Sequence, residues 1–560
     1  MRNKLKTLVA LLLILATLAM LAGCAKKPIE DPSTPSSETP ESTAPQESPE
    51  EQLPKQLDSL TVAISADENT LTPITYVSGS PGFDIMKFMY DSLFAISAEN
   101  TVIPWMVGDD FEVSSDYKEY KMTLLDGQRW HDGTELTAED VVFTFEYFKN
   151  TFTHGRWTPI SSKVDTITSS GNEITITLTA PDPGFLRSGL ADVRIIPKSA
   201  FDGVEDPTTV PNMGSGAYKV TEYKVGEFYT LEAMSGYFRG EPRVKTIRMP
   251  IMTDANVTQQ ALISGEIAAS TRNLSPELVD AFAAAPDIHI ESTTGYVSSL
   301  LIFDNENPPF DNAEFRKAIS RAIDINIIID QVFLGYAARG SLGYVREGLP
   351  EYVAGLDHIY DIAEANSILD SIGYTEKDAS GMRLALDGSA MTLEIASAAS
   401  STQRIRMAEI IAQQLKEIGL NVTVAPLDNA SDIVWPEMNT ALPRKYDMAM
   451  FGWSAPVIQR SGTIIGACSS DFAGAGGQNL PHYVSADFDA LATEFQSTFD
   501  ADERTRLNAE MQKIVAEDSP FVTLAYADTI CAVNTKMYDG WVFAKGTNAV
   551  NLYSFLDMNA

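Results

Sequence analysis

Residues 393–424 constrain the fold more than any other stretch of the chain. Leu393 and Ile395 mark a strand, and Ala408, Ile411, Ala412, Leu415 and Ile418 recur at helical spacing. Gly419 closes that helix, and Leu420, Val422 and Val424 alternate as a second strand. A strand, a helix and a strand in such close succession form a crossover unit, which requires a parallel sheet with the helix on one face. The fold class is therefore α/β, and ligands of such sheets bind beyond the carboxyl ends of the strands.

The rest of the body is mixed. Leu60 to Ile64 alternates as a half-buried strand, and Tyr120–Leu125, Val164–Ile167 and Ile174–Leu178 do the same around Asp126-Gly127 and Gly171-Asn172 turns. Antiparallel hairpins are expected there. Thr137 opens a helix as N-cap with Asp140 three residues on, and Val141, Phe145 and Phe148 form its buried stripe. Asn312 or Asp311 caps a helix carrying Phe315, Ala318, Ile319 and Ala322; Asp324 caps another that runs into Phe333 and stops at Gly335. From residue 56 onward the length suits two or three domains.

The N-terminus reads as an address. Arg2, Lys4 and Lys6 precede an apolar run from Leu8 to Leu21, too short for a spanning helix of about 20 residues and suited to a secretory signal. It ends Leu21-Ala22-Gly23-Cys24, which resembles a bacterial lipobox, with cleavage after residue 23 and acylation of Cys24; an ordinary signal with a coincidental cysteine is the alternative. Residues 24–55 are dominated by Pro, Ser, Thr, Glu and Gln, too poor in apolar side chains to fold, and read as a solvated tether to the membrane.

Composition then removes whole classes of function. Lys and Arg total 41 against 76 Asp and Glu, a net charge of −35 that repels a phosphate backbone, so no nucleic-acid partner is expected. Three cysteines and five scattered histidines give no metal cluster, and neither a metal nor a cofactor is expected. Export would leave Cys468 and Cys531 in an oxidising compartment, as a disulfide or as two free thiols. No phosphate-binding loop is present, and Gly474-Ala-Gly476-Gly477-Gln-Asn479 fails the dinucleotide pattern at its last position. There is no Gly-x-Ser-x-Gly and no His-Glu-x-x-His; Ser115-Asp-Tyr-Lys118 lacks the partner motifs of a Ser/Lys enzyme. His131 in Trp130-His131-Asp132-Gly133 reads as a turn histidine tied to Asp132. Binding, not turnover, is the expectation.

Several stretches carry a family resemblance. Tyr90-Asp-Ser-Leu-Phe94, Ile103-Pro-Trp105 and Tyr120 to Phe143 are similar to the solute-binding proteins of peptide and nickel ABC importers, bacterial extracellular solute-binding family 5. So are Gly214-Ser-Gly-Ala-Tyr218, Tyr237-Phe-Arg-Gly-Glu-Pro242, Ala261 to Glu266, Pro309 to Arg316 and Tyr446 to Trp453. The resemblance implies a periplasmic-binding-protein-like fold of the cluster C type, with two main lobes, a hinge and an inserted extra domain. Domain I would comprise 56–96, 213–297 and 531–560, domain II 97–212 and domain III 298–530. It further implies an extracytoplasmic monomer that captures a peptide or other small solute between domains I and III and hands it to a permease. A surface peptide sensor or chaperone on the same scaffold is the alternative, and a hydrolase would need a nucleophile and base that are not found.

The resemblance also suggests site residues. Gly452-Trp453 falls where the family places a cleft pair, the glycine letting backbone approach a ligand; a core role for the tryptophan is the competing reading. Thr72, Tyr296, Ser454 and Arg460 are candidate loop ends facing the cleft, and Arg156-Trp157 a candidate contact from domain II. Two departures disfavour a simple dipeptide. Pro456 stands where peptide binders carry the Asp for the ligand ammonium, and Ala398 where dipeptide binders carry the Arg for its carboxylate, with Arg404 and Arg406 nearer the following helix.

Overall fold

A computed structural model describes residues 56–69, 71–74, 82–151, 157–428, 446–473 and 477–557. The signal, Cys24, the tether and Arg156 lie outside the described residues.

The crossover unit forms as its sequence requires. Strand Thr392–Ala398 pairs in parallel with Asn421–Leu427 from Thr392↔Asn421 to Ala398↔Leu427, joined by helix Thr402–Glu417. Ser401 caps the helix by accepting from the Arg404 N–H, and Gly419 leaves it at φ 80°. The unit forms one edge of a six-stranded mixed sheet, whose other strands are Met448–Phe451, Ile288–Phe303, Phe521–Asn534 and Ala337–Arg339. The Phe315, Ile319, Ile411 and Leu415 stripes pack on one side of this sheet. Asn312, not Asp311, caps the helix Ala313–Ala322, through the Glu314 N–H.

A second sheet of five strands contains Leu57–Ala63 beside Val244–Pro250, with Phe228–Ala233 and Tyr218–Lys224 following. A third, of four strands, holds the expected hairpins: Glu119–Thr123 and Val164–Ser170 both pair antiparallel with Glu173–Leu178. Thr137 caps the neighbouring helix, its N–H on Asp140 Oδ2 at 3.0 Å.

One antiparallel pair ties these bodies together. Ile288–Phe303 and Phe521–Asn534 run side by side from Ile288↔Asn534 to Ile302↔Phe521, with the register broken between Thr293 and Val297. Towards Ile288 the pair packs with Ala63, Leu262 and Ile267; beyond the break, Leu301, Val522 and Leu524 belong to the six-stranded sheet's core. At the break Gly295 lies against the partner strand, where a Cβ would sit 1.7 Å from the Ala527 carbonyl oxygen. Only glycine fits that approach.

Cys468 and Cys531 are separate, buried free thiols. Cys468 packs with Ile464, Tyr483 and Phe488, whereas Cys531 belongs to the core around the five-stranded sheet. A pairing is thereby excluded, because each sulfur sits in its own apolar cluster. His131 also departs from expectation: its Nδ1 accepts from the Gly214 N–H at 3.2 Å and its Nε2 donates to the Gly216 carbonyl at 3.1 Å, while Asp132 serves Thr134.

His131 and His358 give the fold a defined acid response. Burial pushes both from 6.5 to about 4, and His358, flanked by Arg321 and Arg339, has both ring nitrogens buried without a hydrogen-bond partner among the described residues. Each is neutral when folded, so between pH 6.5 and 4 the unfolded chain binds more protons and stability falls as pH is lowered. For His358 the full loss is about 3 kcal/mol. Urea titrations at pH 7 and 4.5 should show His358→Leu losing less stability on acidification than the wild type. Parallel pH slopes would show that the ring is not held neutral.

Candidate functional site

The family-like stretches converge on one buried carboxylate. Asp91 is 2% exposed, and its Oδ1 accepts from Trp105 Nε1 at 2.9 Å and the Tyr237 hydroxyl at 2.7 Å, while Oδ2 accepts from Ser215 at 2.9 Å. These donors come from Ile103-Pro-Trp105, Tyr237 to Pro242 and Gly214 to Tyr218. Burial pushes the Asp91 carboxyl up, opposed by the three donors and by the charge of Arg194. Arg194 Nη1 donates to the neighbouring Ser92, and Arg239 donates Nε to the Trp105 carbonyl at 2.9 Å while lying over the indole. The motifs thus brace one another.

Beside this hub opens a cleft of about 1,960 Å³. One wall comes from residues 83–105 and 159–194, another from 345–351, 455–472 and 478–504, and the floor from Tyr296, Val297 and Thr529 of the bulged strand pair. Residues 544–553 of the tail complete it. At the rim the walls touch: the rings of Tyr117 and Phe499 lie 6.4 Å apart, and a Cβ on Gly184 would sit 3.9 Å from that of Ser461. Glu351 fixes one lip by accepting from Ser461 Oγ at 2.5 Å and the Gly462 N–H at 2.8 Å. Arg504 donates Nη2 to Ser461 Oγ at 3.2 Å and stacks 3.8 Å from the centre of the Phe495 ring. Lys163 and Asp182 pair on the other lip at 2.7 Å.

Of the residues singled out in the sequence, Tyr296 and Arg460 line this cleft. Tyr296 is buried on the floor, with the Arg346 guanidinium 5.3 Å from its ring centre and Asn100 Nδ2 donating to its hydroxyl at 3.4 Å. Gly452, Trp453 and Ser454 stop short of the lining, which begins at Ala455. Gly452 is needed for a different close approach: its Cβ would lie 1.9 Å from the Ser298 carbonyl oxygen, so the neighbour that excludes a side chain is a strand. Trp453 continues that pairing, its N–H on Ser298 Oγ at 2.9 Å and its carbonyl accepting from the Ser298 N–H at 3.0 Å. Its half-buried ring meets Phe451 edge-on at 5.1 Å.

Trp157 is fully buried, with Nε1 on the Pro73 carbonyl at 2.8 Å and Phe148 against its ring. Thr72 is buried as well, its hydroxyl accepting from the Ile74 N–H at 3.2 Å, and neither residue lines the cleft. Ala398 is a buried strand end and Pro456 lies in the short helix Ala455–Ile458. Arg404 lies over the Phe451 ring at 5.7 Å, whereas Arg406 is exposed beside Glu409.

Sequence reasoning missed Arg187, Asn100, Glu351 and Arg504. Each is an ordinary polar residue with no motif around it, and most of their partners are remote in the chain, although Arg504 also bonds the nearby Phe495 and Thr498 carbonyls; the one local hint is the tendency of Asn to adopt the left-handed conformation seen at Asn100, φ 67°.

A cleft between separate sheet cores, floored by a bulged strand pair that enters both, defines a bilobed solute-binding protein of the periplasmic-binding-protein type. Residues 101–473 match the profile of the bacterial extracellular solute-binding proteins, family 5 Middle, and the chain belongs to that family. It is a binding protein, not an enzyme. The chain is 24% identical over 485 residues to the oligopeptide-binding protein AppA of Bacillus subtilis, covering 84% of this chain and 86% of that protein. It is also 24% identical over 492 residues to the glutathione-binding protein GsiB of Salmonella typhi, covering 86% and 91%. The crystal structure of the ABC transporter substrate-binding protein CtaP from Listeria monocytogenes superposes with a TM-score of 0.77 at 25% identity, over 90% of this chain and 100% of that one. For Bacillus subtilis AppA in complex with a nonapeptide the TM-score is 0.72 at 22% identity, over 90% and 99%.

Two outcomes are expected. Asp91→Asn replaces an acceptor oxygen with a donor amide facing neutral donors, and should lower folding stability by roughly 3 to 5 kcal/mol; an unchanged urea midpoint would refute the hub. Trp453→Ala should lower stability by about 2 to 3 kcal/mol, less than a fully buried aromatic, because its ring packs on Phe451. Calorimetry with a bound solute on the same variant checks the placement: intact stability with weakened affinity would move Trp453 into the site.

Proposed function

We propose that the protein is a lipid-anchored extracytoplasmic receptor of an ABC importer, which captures a peptide or related small solute in the cleft and delivers it to a permease. The observation that carries this reading is the cleft's position on a bulged strand pair shared by two cores, where a change of angle would open or close both walls. Relatives named for oligopeptide and glutathione binding support the solute class. In this reading domain I is 56–96, 213–297 and 531–560, domain II 97–212 and domain III 298–530, with solute between I and III and domain II adding a wall. Tyr296 and Arg460 remain as ligand contacts; Gly452, Trp453, Ser454, Thr72 and Trp157 support the walls from behind.

Acylation of Cys24 supplies the anchor, consistent with the lack, among the described residues, of any helix long and apolar enough to cross a membrane. A cleft of this volume exceeds the roughly 300–1,000 Å³ typical of single small-molecule pockets and suits a ligand of several residues better than a dipeptide.

The reading predicts two behaviours. Solute should compact the protein in small-angle scattering, and Cys24→Ala should move it from the membrane fraction to the soluble one. Peptide binding without compaction would argue for a rigid surface binder, and membrane retention of the Cys24 variant would discard the lipid anchor.

A further inference from the structure

We propose that the captured solute carries a carboxylate and that Arg187 holds it. The inference rests on the receptor reading above and adds the chemical class of the solute.

Several cations on the cleft walls are matched by nearby anions or acceptors. Lys545 meets Glu99 at 2.7 Å, and Lys163 meets Asp182 at 2.7 Å. Arg504 is committed to the Phe495 and Thr498 carbonyls and to the Phe495 face, with Asp182 and Glu351 close by. Arg194 donates to Ser92 beside Asp91. Arg187 is different. It lines the cleft half-buried, and among the described residues no carboxylate reaches it. Its two Nη groups donate to the main-chain and side-chain oxygens of Asn100, at 3.1 Å for the former, and its charge otherwise meets the phenol of Tyr296.

The guanidinium is therefore held in place without being neutralised. Asn100, in its left-handed turn, presents both oxygens to one side of the fork and donates its own amide to Tyr296 at 3.4 Å. Among the described residues, three of the five guanidinium N–H groups meet no acceptor. Desolvation already presses the guanidinium towards its neutral form, and a ligand carboxylate would remove that penalty. The surroundings sharpen the point. In a chain of net charge −35, an anion is retained only where a cation lies within about a Debye length, roughly 8 Å, and is not cancelled by its own neighbour. The same carboxylate chemistry is available from a peptide C-terminus or from a free organic acid.

The test uses the full-length protein and three probes. One is a pool of tetrapeptides without Asp or Glu and with free C-termini, the second is the same pool amidated, and the third is a mixture of succinate, citrate and phthalate. Thermal midpoints identify binding and calorimetry gives affinities. A carboxylate-bearing probe should raise the midpoint, the amidated pool should not, and Arg187→Gln should weaken the response roughly 10- to 100-fold, as expected for a lost charge-assisted bidentate contact. Arg187→Lys should recover part of it, because charge remains but the fork is gone.

Equal stabilisation by free and amidated peptides overturns the carboxylate assignment and leaves the receptor reading standing. A response to the organic acids alone, lost in Arg187→Gln, upholds the assignment and removes peptides from the receptor reading. Silence of both carboxylate-bearing probes, or binding undiminished in Arg187→Gln, also overturns it. Should Arg187→Gln fail to fold, the wild-type comparison of free with amidated pools and the Arg187→Lys variant decide the matter.

Discussion

The Asp91 carboxylate is the contact on which the organisation of the molecule turns. An acidic chain would ordinarily keep each carboxylate in water, and burying one is costly unless donors replace the lost hydration. Here an indole, a phenol and a serine hydroxyl do so, and all three arrive from segments well separated in the chain. The geometry can be met only when the turn at Tyr90–Phe94 and the stretches around Trp105, Ser215 and Tyr237 are all in place. A made hydrogen bond contributes about 0.5–1.5 kcal/mol net, whereas a buried polar group left without its partner costs about 1–3 kcal/mol. The hub therefore acts as a cooperative check on assembly of this wall of the cleft. His131, spanning Gly214 and Gly216, reinforces the same junction from the neighbouring turn.

The bulged strand pair sets what can move. Its ends belong to different cores, so neither strand can leave its partner without exposing apolar surface on both sides. Between Thr293 and Val297 the ladder is interrupted, and the chain there is held instead by Gly295 lying on Ala527 and by the Asp528 carboxylate accepting the Gly295 N–H. A second shift of register follows between Ser299 and Leu300, so the stretch from Thr293 to Leu300 is where bending meets least resistance from the ladder. Tyr296 lies within it, so a residue at the bend is also a floor residue of the cleft and the partner of Asn100.

Much of this was legible in the sequence where the determinants are local. The crossover unit, the Thr137 and Asp324 caps and the Gly171-Asn172 hairpin all depend on residues within a few positions of one another, and all formed. The cleft was not legible in the same way. Gly452 announces a close approach but not which neighbour is approached, and the neighbour proved to be the Ser298 carbonyl. Trp157 and Thr72 gave no local sign of burial: the Pro73 carbonyl that accepts from Trp157 is remote in the chain, and nothing around Thr72 pairs it with the Ile74 N–H in advance. The motif stretches supply the donors around Asp91, which itself lines the cleft together with Ser92, whereas other polar lining residues, such as Arg187, Glu351 and Arg504, lie outside them.

The relative strength of these contacts explains how one chain can be both firmly folded and able to admit a ligand. The cores beneath each wall bury large aromatic and aliphatic side chains completely, at roughly 1.5–3 kcal/mol apiece. The rim, by contrast, is held among the described residues by the tilted Tyr117–Phe499 ring pair, the approach of Gly184 to Ser461 and the attraction of Arg504 to Asp182 across it, with the Lys163–Asp182 ion pair confined to one side. Separating the walls there costs a small fraction of what separating a core would cost, so opening is local and leaves both sheets intact. Solute bound across the cleft adds contacts only when the walls are together. Because a ligand shifts an equilibrium by no more than its difference in affinity for the two states, in the receptor reading proposed above a weakly held rim would let a modest solute affinity control closure.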